Sequence, residues 1–274
     1  MIDHSIDRDP ARPDVGHGHF RVDEKRWDST FFGRQIGSLS WTELPADRKA
    51  GRTELGRIAE LSDAAGYSLV ECHVGMTDFT LISLLEDIGF RVVDSRVRFL
   101  TRWTLADVPV TTPLDGAIRW AVPSDRDRIV ELTHEGFTDN DKFCSRFKNP
   151  DYFSAGDTRR YFEAWIDSTA FEADAASAVL EIDNEVRGYF IYQVRGEYEE
   201  LPVVKGILTA VAPNSRGANG HLAMQAFLYH RLGLSDWFLD NTTQLTNTPV
   251  IRNHIRSSKR LDEIVLTLYR RPAA

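Results

Sequence analysis

The sequence predicts an α/β chain in which strands and helices alternate, and three observations support this class. A short apolar run at residues 207–211 precedes a glycine-bearing loop, after which apolar residues recur at helical spacing from His221. A second strand, a helix opened by Asn247 and a final strand at residues 261–270 follow. The same strand–helix–strand order occurs earlier, at residues 67–103, which indicates an internal duplication.

Length and charge limit the classes of function. The 274 residues can form one large domain or two ordinary domains. A formal net charge of -8 argues against nucleic acid or an acidic membrane surface as the main partner. No apolar stretch has the length of a membrane span, and residues 1–18 lack the apolar core of a signal segment. We therefore expect a cytoplasmic protein in which Cys72 and Cys144 stay unpaired.

The duplication is seen at an offset of 169 positions, which carries Leu69 onto Phe238 and Asp78 onto Asn247. At this offset the strand, the capping residue, the helix length and the final strand agree without a gap, although few residues are identical. The chain therefore divides into four predicted parts. They are a disordered lead-in at 1–18, a partial copy of the unit at 19–105, a linker at 106–116 and the complete domain at 117–274.

Capping residues and apolar spacing predict the remaining elements. In the first copy, Asp47 and Asp78 each open a helix, and the strand at 91–103 is interrupted near Asp94. In the second domain, Ser124 caps a helix that reaches about Phe137. The other predicted elements are a strand at 117–122, a polar and aromatic loop at 138–156, a helix at 158–168, strands at 178–182 and 188–195 around a turn at 183–185, and a strand at 202–212.

The loop at residues 214–220 has the chemistry of an anion site. It joins a strand to a helix N-terminus, where unpaired backbone N–H groups and the helix dipole favour a phosphate. Its spacing is neither GxGxxG nor that of a Walker loop, which disfavours a dinucleotide-binding or P-loop protein. The alternative interpretation is that Gly217 and Gly220 only let the chain turn.

The same loop resembles the coenzyme A loop of the GNAT acyltransferases, Gln/Arg-x-x-Gly-x-Gly/Ala after the fourth strand. Gly217 matches that pattern, whereas Asn214 and Asn219 stand at the first and last defined positions. Asparagine tolerates left-handed φ and Gly220 follows at once, so the loop can still close. Residues 243–247 also resemble the end of the GNAT fifth strand and the asparagine that opens the next helix.

Further segments resemble the dTDP-fucosamine (sugar-nucleotide amine) acetyltransferases among the GNATs. They are Trp-Asp-Ser-Thr-Phe-Phe-Gly at 27–33, Ser-Arg-Phe at 145–147, and the segments at 254–258 and 268–270. The resemblance implies a mixed central sheet with flanking helices, preceded by a partial GNAT-like N-terminal domain. It also implies a possible homodimer.

The resemblance implies that acetyl-CoA binds as the acyl donor. A backbone N–H on the fourth strand would polarise the thioester carbonyl, and the loop would hold the pyrophosphate. The residues implied in cofactor binding are Ala210, Val211, Ala212, Asn214, Arg216, Gly217, Ala218, Asn219, Gly220 and Asn247.

His254 is the candidate catalytic residue. It lies seven positions after Asn247, where the GNAT resemblance places a tyrosine that protonates the departing thiolate. Two helical turns separate the two residues by roughly 10 Å on one face. Imidazole can act as acid or base near neutral pH, although a lone helical histidine can equally be a packing residue. The general base is left open among Glu197, Glu199, Glu200, His73 and His134.

The acceptor is expected to meet the segment at 138–165. Aromatic rings there can cover a sugar or a base, and an arginine can hold a phosphate. The candidate residues are Phe143, Arg146, Phe147, Tyr161 and Trp165, and the alternative is that the aromatic residues belong to the core. The histidine and cysteine spacing predicts no metal site.

The function expected from the resemblance is transfer of an acetyl group to a primary amine, by direct attack in a ternary complex. A nucleotide-linked amino sugar is the favoured acceptor. An amino acid, a peptide N-terminus or an aminoglycoside is the first alternative. A coenzyme A-binding or regulatory protein without catalysis is the second.

Overall fold

The computed structural model describes residues 15–108, 117–141, 143–171, 175–216 and 220–272. The strands are β1 (Val15–His17), β2 (Phe20–Glu24), β3 (Ile36–Trp41), β4 (Leu69–Gly75), β5 (Arg91–Thr104), β6 (Ala117–Trp120), β7 (Ala175–Ile182), β8 (Glu185–Tyr198), β9 (Leu201–Val211), β10 (Asp236–Gln244) and β11 (Leu261–Arg270). The α-helices are α1 (Arg26–Phe32), α2 (Arg48–Ala64), α3 (Phe79–Asp87), α4 (Arg126–Thr133), α5 (Ala155–Asp167), α6 (Gly220–Tyr229) and α7 (Thr248–Arg256). The predicted α/β class, with a mixed sheet and flanking helices, is confirmed.

The chain folds into two compact units, which divide at Arg96 and again before Ile264. The first unit contains β1 to β4, the start of β5 and most of β11. The second unit runs from Val97 to Glu263. Of the linker expected at 106–116, only residues 106–108 lie within the described part of the chain.

The first unit has its strands in the order β1-β2-β3-β4-β11. β3 and β4 are parallel, and the remaining pairs are antiparallel. Apolar side chains of one sheet face, such as Val70 and Cys72, form a core with Leu55 of α2 and Leu84 of α3. Asp78 caps α3 as predicted, because its carboxylate accepts the Leu81 N–H at 3.1 Å.

The second unit has its strands in the order β5-β10-β9-β8-β7-β6. β10 runs parallel to β9, whereas β9, β8, β7 and β6 are antiparallel neighbours. Successive residues of β8 contribute to two cores, Phe190 to the one under α6 and Ile191 to the one under α4 and α5. Because successive strand residues point to opposite faces, α6 lies on one face of the sheet and α4 with α5 on the other.

The predicted duplication is confirmed in the elements β4-α3-β5 and β10-α7-β11. An offset of 169 positions carries Phe79 onto Thr248 and Asp87 onto Arg256, so the two helices correspond from end to end. Pairing does not follow the order of the chain, however. β11 pairs antiparallel with β4, with Leu268 opposite Cys72, and is counted mostly in the first unit.

Three local predictions are wrong. β5 is continuous through Asp94. Ser124 does not cap a long helix: a 3-10 turn occupies Pro123–Asp125, and α4 gives way to a π-helical turn at His134–Thr138. The reason is that the Asp125 carboxylate accepts the Val122 N–H at 2.9 Å and pairs with Arg119.

The third error concerns Asn247. α7 begins after this residue as predicted, but the Asn247 amide donates to Thr243 Oγ1 at 3.0 Å rather than capping the helix. Separately, no helix within the described residues is long and apolar enough to cross a membrane.

Candidate active site

The pairing between β9 and β10 ends before either strand does, which leaves a gap between their unpaired ends. The two strands are paired from Val203 opposite Phe238 to Gly206 opposite Asn241, although β9 continues to Val211 and β10 to Gln244. The register of β8 against β9 shifts where this pairing ends, which leaves Ile207 as an extra residue. Such a β-bulge bends a strand and increases its twist. The bulge lies where the pairing of β9 with β10 ends.

The backbone of Val211 faces this gap. The Ala212 N–H donates to the Arg187 carbonyl of β8 at 2.7 Å. Successive peptide groups of a strand point to alternate sides, so the N–H and C=O of Val211 point away from β8. Arg216 Nε donates to the Val211 carbonyl from that side at 3.1 Å. Ala210, Val211 and Ala212 are the residues expected to polarise a carbonyl. Val211 presents its N–H to the gap, whereas the N–H groups of Ala210 and Ala212 point toward β8.

The predicted cofactor loop follows β9. Asn214 lies in an exposed 3-10 turn at Pro213–Ser215, and Arg216 is also exposed. Gly217, Ala218 and Asn219 lie outside the described residues. Gly220 begins α6 and is buried, and a Cβ there would lie 2.7 Å from Leu180 Cδ2. Glycine thus lets the first turn of α6 approach β7 closely.

Buried polar atoms lie near the end of the β9–β10 ladder. Gly206 packs against Asn241 and Phe190. The centroids of the Phe190 and His221 rings are 5.6 Å apart. Within the described residues, no group bonds Asn241 Nδ2, His221 Nδ1 or Gln225 Nε2, although all three atoms are buried. Buried polar atoms are usually satisfied by protein or by water, so this region is suited to a polar ligand or bound water.

His254 lies on the buried side of α7. Its ring packs against Phe99 at 4.8 Å and against His221 at 6.3 Å, and it is 3% exposed. Lys259 Nζ lies 3.1 Å from His254 Nδ1. Burial, with a smaller effect of Lys259, lowers the pKa of His254 to about 2, so the imidazole is neutral at neutral pH. The sequence analysis did not single out Lys259.

The predicted acceptor residues form an aromatic cluster beside α5. Phe143, Phe147 and Tyr161 are buried, and the Phe147 and Tyr161 rings stack at 4.1 Å. The Arg146 guanidinium lies 4.4 Å from the Phe147 ring centroid. Trp165 is partly buried and packs against Phe162. These rings largely cover one another, so a role in acceptor binding stays a prediction.

The candidates for the general base lie apart from the gap. Glu199 and Glu200 form the β8–β9 hairpin with positive φ, and Glu197 lies just before them, at the opposite end of β9 from Val211. Both ring nitrogens of His134 are engaged, one with Thr138 Oγ1 and the other with Glu163 Oε1 at 2.9 Å. His73 belongs to the first unit.

Comparison with known proteins identifies the fold. No family model matches the sequence, and no curated protein matches it. A solved structure of a functionally unknown conserved protein from Staphylococcus epidermidis has a TM-score of 0.64 at 8% identity, over 95% of this chain and 94% of that one. A GCN5-related N-acetyltransferase from Sphaerobacter thermophilus has a TM-score of 0.58 at 15% identity, over 93% of this chain and 78% of that one.

A tandem GNAT protein from the clavulanic acid biosynthesis pathway has a TM-score of 0.55 at 13% identity, over 94% of this chain and 80% of that one. This chain has the GNAT fold. At such identities the likeness concerns the fold alone. The tandem arrangement of this last neighbour agrees with the two related units of the present chain. The candidate site is the gap between β9 and β10.

Proposed function

We propose that this GNAT-fold protein is an N-acetyltransferase that moves an acetyl group from acetyl-CoA to a primary amine. The main support is the gap between β9 and β10, into which the Val211 N–H points. A preorganised N–H aimed at a reacting carbonyl stabilises the charge that develops on its oxygen. The first turn of α6 lies after the same strand and offers N–H groups for a phosphate.

The residues of the gap fit such a donor. Acetyl-CoA supplies a thioester carbonyl and a thiolate leaving group when it is bound. Val211 would donate its N–H to the carbonyl oxygen, and Arg216 and the start of α6 would meet the diphosphate. Asn241 Nδ2, which is buried and has no partner among the described residues, suits an amide carbonyl of the pantetheine arm.

The chemistry would be a direct attack by the acceptor amine, with no acyl group on the protein. Cys72 is buried and its pKa is raised by burial, so it is a poor nucleophile. Cys144 is exposed, and no described histidine bonds it. His254 would deliver the proton that the departing thiolate needs.

The acceptor we favour is the amine of a nucleotide-linked amino sugar, with other small amines as the alternative. A calorimetric titration with acetyl-CoA, with acetate and adenosine diphosphate as controls, tests donor binding first. A screen of amines by release of free thiol then tests transfer. Micromolar binding with thiol release supports the proposal, and binding without release from any amine class would favour a coenzyme A-binding protein without catalysis.

A pair of variants at Val211 tests the N–H. Val211→Pro removes this N–H, and Val211→Ala keeps it. We expect kcat/KM to fall roughly 100-fold in Val211→Pro and to change less than about 3-fold in Val211→Ala. Equal effects of the two substitutions would contradict the assignment of this N–H.

A further inference from the structure

The C-terminal turn of α7 brings Lys259 back against His254. The Lys259 N–H donates to the His254 carbonyl at 3.0 Å, and the Ser258 N–H donates to the Ile255 carbonyl at 3.0 Å. Ser258 has a φ of 59°. This is the Schellman motif, in which the third residue before the cap and the second after it normally make a hydrophobic contact. Here the two positions hold His254 and Lys259.

The first copy of the repeat has the same turn with apolar side chains. At the end of α3, the Phe90 N–H donates to the Leu85 carbonyl at 3.0 Å, and Gly89 has a φ of 94°. An offset of 169 positions carries Leu85 onto His254 and Phe90 onto Lys259. Leu85 and Phe90 are both buried in the core of the first unit. The backbone motif therefore does not require ionisable side chains.

Lys259 is a buried amine that pairs with no carboxylate among the described residues. It is 5% exposed, and its Nζ lies 3.3 Å from Gln225 Oε1 and 5.8 Å from the Trp103 ring centroid. Burial lowers its pKa to about 7. The titratable groups that interact with it are His254 on α7 and His221 on α6. Tyr229 on α6 packs against Trp103, the ring that lies near Nζ.

The carboxylates of neighbouring strands are directed elsewhere. Asp240 of β10 and Glu263 of β11 pair with Arg98. Arg98 points to the opposite face of β5 from Phe99, which packs on His254. The pKa of Lys259 is therefore set by burial.

When Lys259 is protonated, its contact with His254 fixes the tautomer of the imidazole. An ammonium group has no lone pair, so Nζ donates and His254 Nδ1 accepts. The imidazole proton then lies on Nε2. A neutral imidazole that gave up this proton alone would become an anion. A proton received at Nδ1 removes that obstacle.

We propose that Lys259 is a positioning residue that holds His254 in the Nε2–H tautomer and passes a proton through it to the departing thiolate. This inference rests on the proposed acetyltransferase function. As the S–H bond forms, the His254 Nε2–H bond breaks, the Nδ1–H bond forms and one Nζ–H bond of Lys259 breaks. The C–N bond forms and the C–S bond breaks, and the acceptor nitrogen releases its protons to solvent before and during attack. Lys259 is left as a neutral amine, and it regains one proton from solvent after the thiolate has been protonated.

Three variants test the relay. Lys259→Met removes the amine, Lys259→Arg keeps a charge that does not release its proton, and the double variant His254→Leu/Lys259→Phe installs the apolar pair of the first copy. We expect each to lower kcat about 30-fold or more and to leave the Kd of acetyl-CoA within about 3-fold. The ionisation near pH 7 in the kcat profile should disappear in the two single variants. A urea unfolding curve that matches the wild type's in cooperativity shows that the double variant is folded.

Nitrogen-15 NMR of the histidine side chains provides a readout without turnover. We expect the Nε2–H tautomer for His254 in the wild type and a mixture of tautomers in Lys259→Met. A wild-type kcat and pH profile in Lys259→Met would overturn the relay alone. A wild-type protein that neither binds acetyl-CoA nor transfers acetyl would overturn the proposed function and the relay together.

Discussion

A Cβ on Gly206 would lie 2.8 Å from Oδ1 of Asn241, so the last paired position of β9 and β10 requires a residue without a side chain. Gly206→Ala should displace the Asn241 amide and lower the free energy of unfolding by about 1–3 kcal/mol. Asn241→Ala in the same chain removes the clashing oxygen. The free energy of unfolding can be measured in urea for the two single variants and the double variant. The double variant should lose at least about 0.5 kcal/mol less than the two single losses added together, which is the coupling expected of residues in contact. Additive effects would contradict the contact.

Lys259 should make stability depend on pH. Its pKa is about 7 in the folded protein and 10.5 for the free side chain, because burial disfavours the ammonium form. The unfolded chain therefore binds more protons between these values, and the free energy of unfolding should rise with pH through this window. One group contributes at most about 1.4 kcal/mol per pH unit.

Comparison of the wild type with Lys259→Met isolates this contribution. Unfolding in urea at several pH values from 7 to 10 should show a steeper rise for the wild type. Parallel curves for the two proteins would mean that Lys259 keeps an ordinary pKa in the folded state.

Arg270 should be a strong stabilising residue of the first unit. Its guanidinium pairs with both Asp63 oxygens, at 2.7 and 2.6 Å, and donates to the Ile88 carbonyl at 3.1 Å. Its side chain is 9% exposed. Arg270→Ala should lower the free energy of unfolding by about 2 kcal/mol, because breaking a partly buried, charged hydrogen-bonded pair leaves polar groups unsatisfied.

An exposed pair in the same unit is the matched control. Arg52 lies 3.7 Å from Asp87 and its side chain is 64% exposed. Arg52→Ala should cost less than about 0.5 kcal/mol. If Arg270→Ala and Arg52→Ala lowered the free energy of unfolding by similar amounts in thermal or urea unfolding, the stronger role of Arg270 would be refuted.

Much of the local structure was predictable because its signals are local. The Asp78 cap, the turn at Asp183 and Asn184, and the limits of β11 follow from residue type and from apolar spacing. The cap predicted at Ser124 failed because the neighbouring Asp125 is held by Arg119, a contact that spacing alone does not reveal.

The candidate site was predicted as a segment rather than as an arrangement. The strand–loop–helix order indicated an anion site near residues 207–220. It did not indicate that Ile207 is a bulge residue or that Val211, rather than Ala210 or Ala212, faces the gap. The sequence left open whether Phe147 and Tyr161 bind the acceptor or belong to the core. In the structure their rings stack against each other.

By itself, the sequence determined the α/β class, the duplicated strand–helix–strand unit and the segment that follows β9, because periodicity, caps and turn residues act over a few positions. Only the tertiary structure decided that β11 pairs with β4 and that Lys259 is buried against His254. Strand pairing across nearly 200 positions depends on which edges the fold leaves available. The burial of a lysine depends on the side chains that surround it, and neither has a local signal in the sequence.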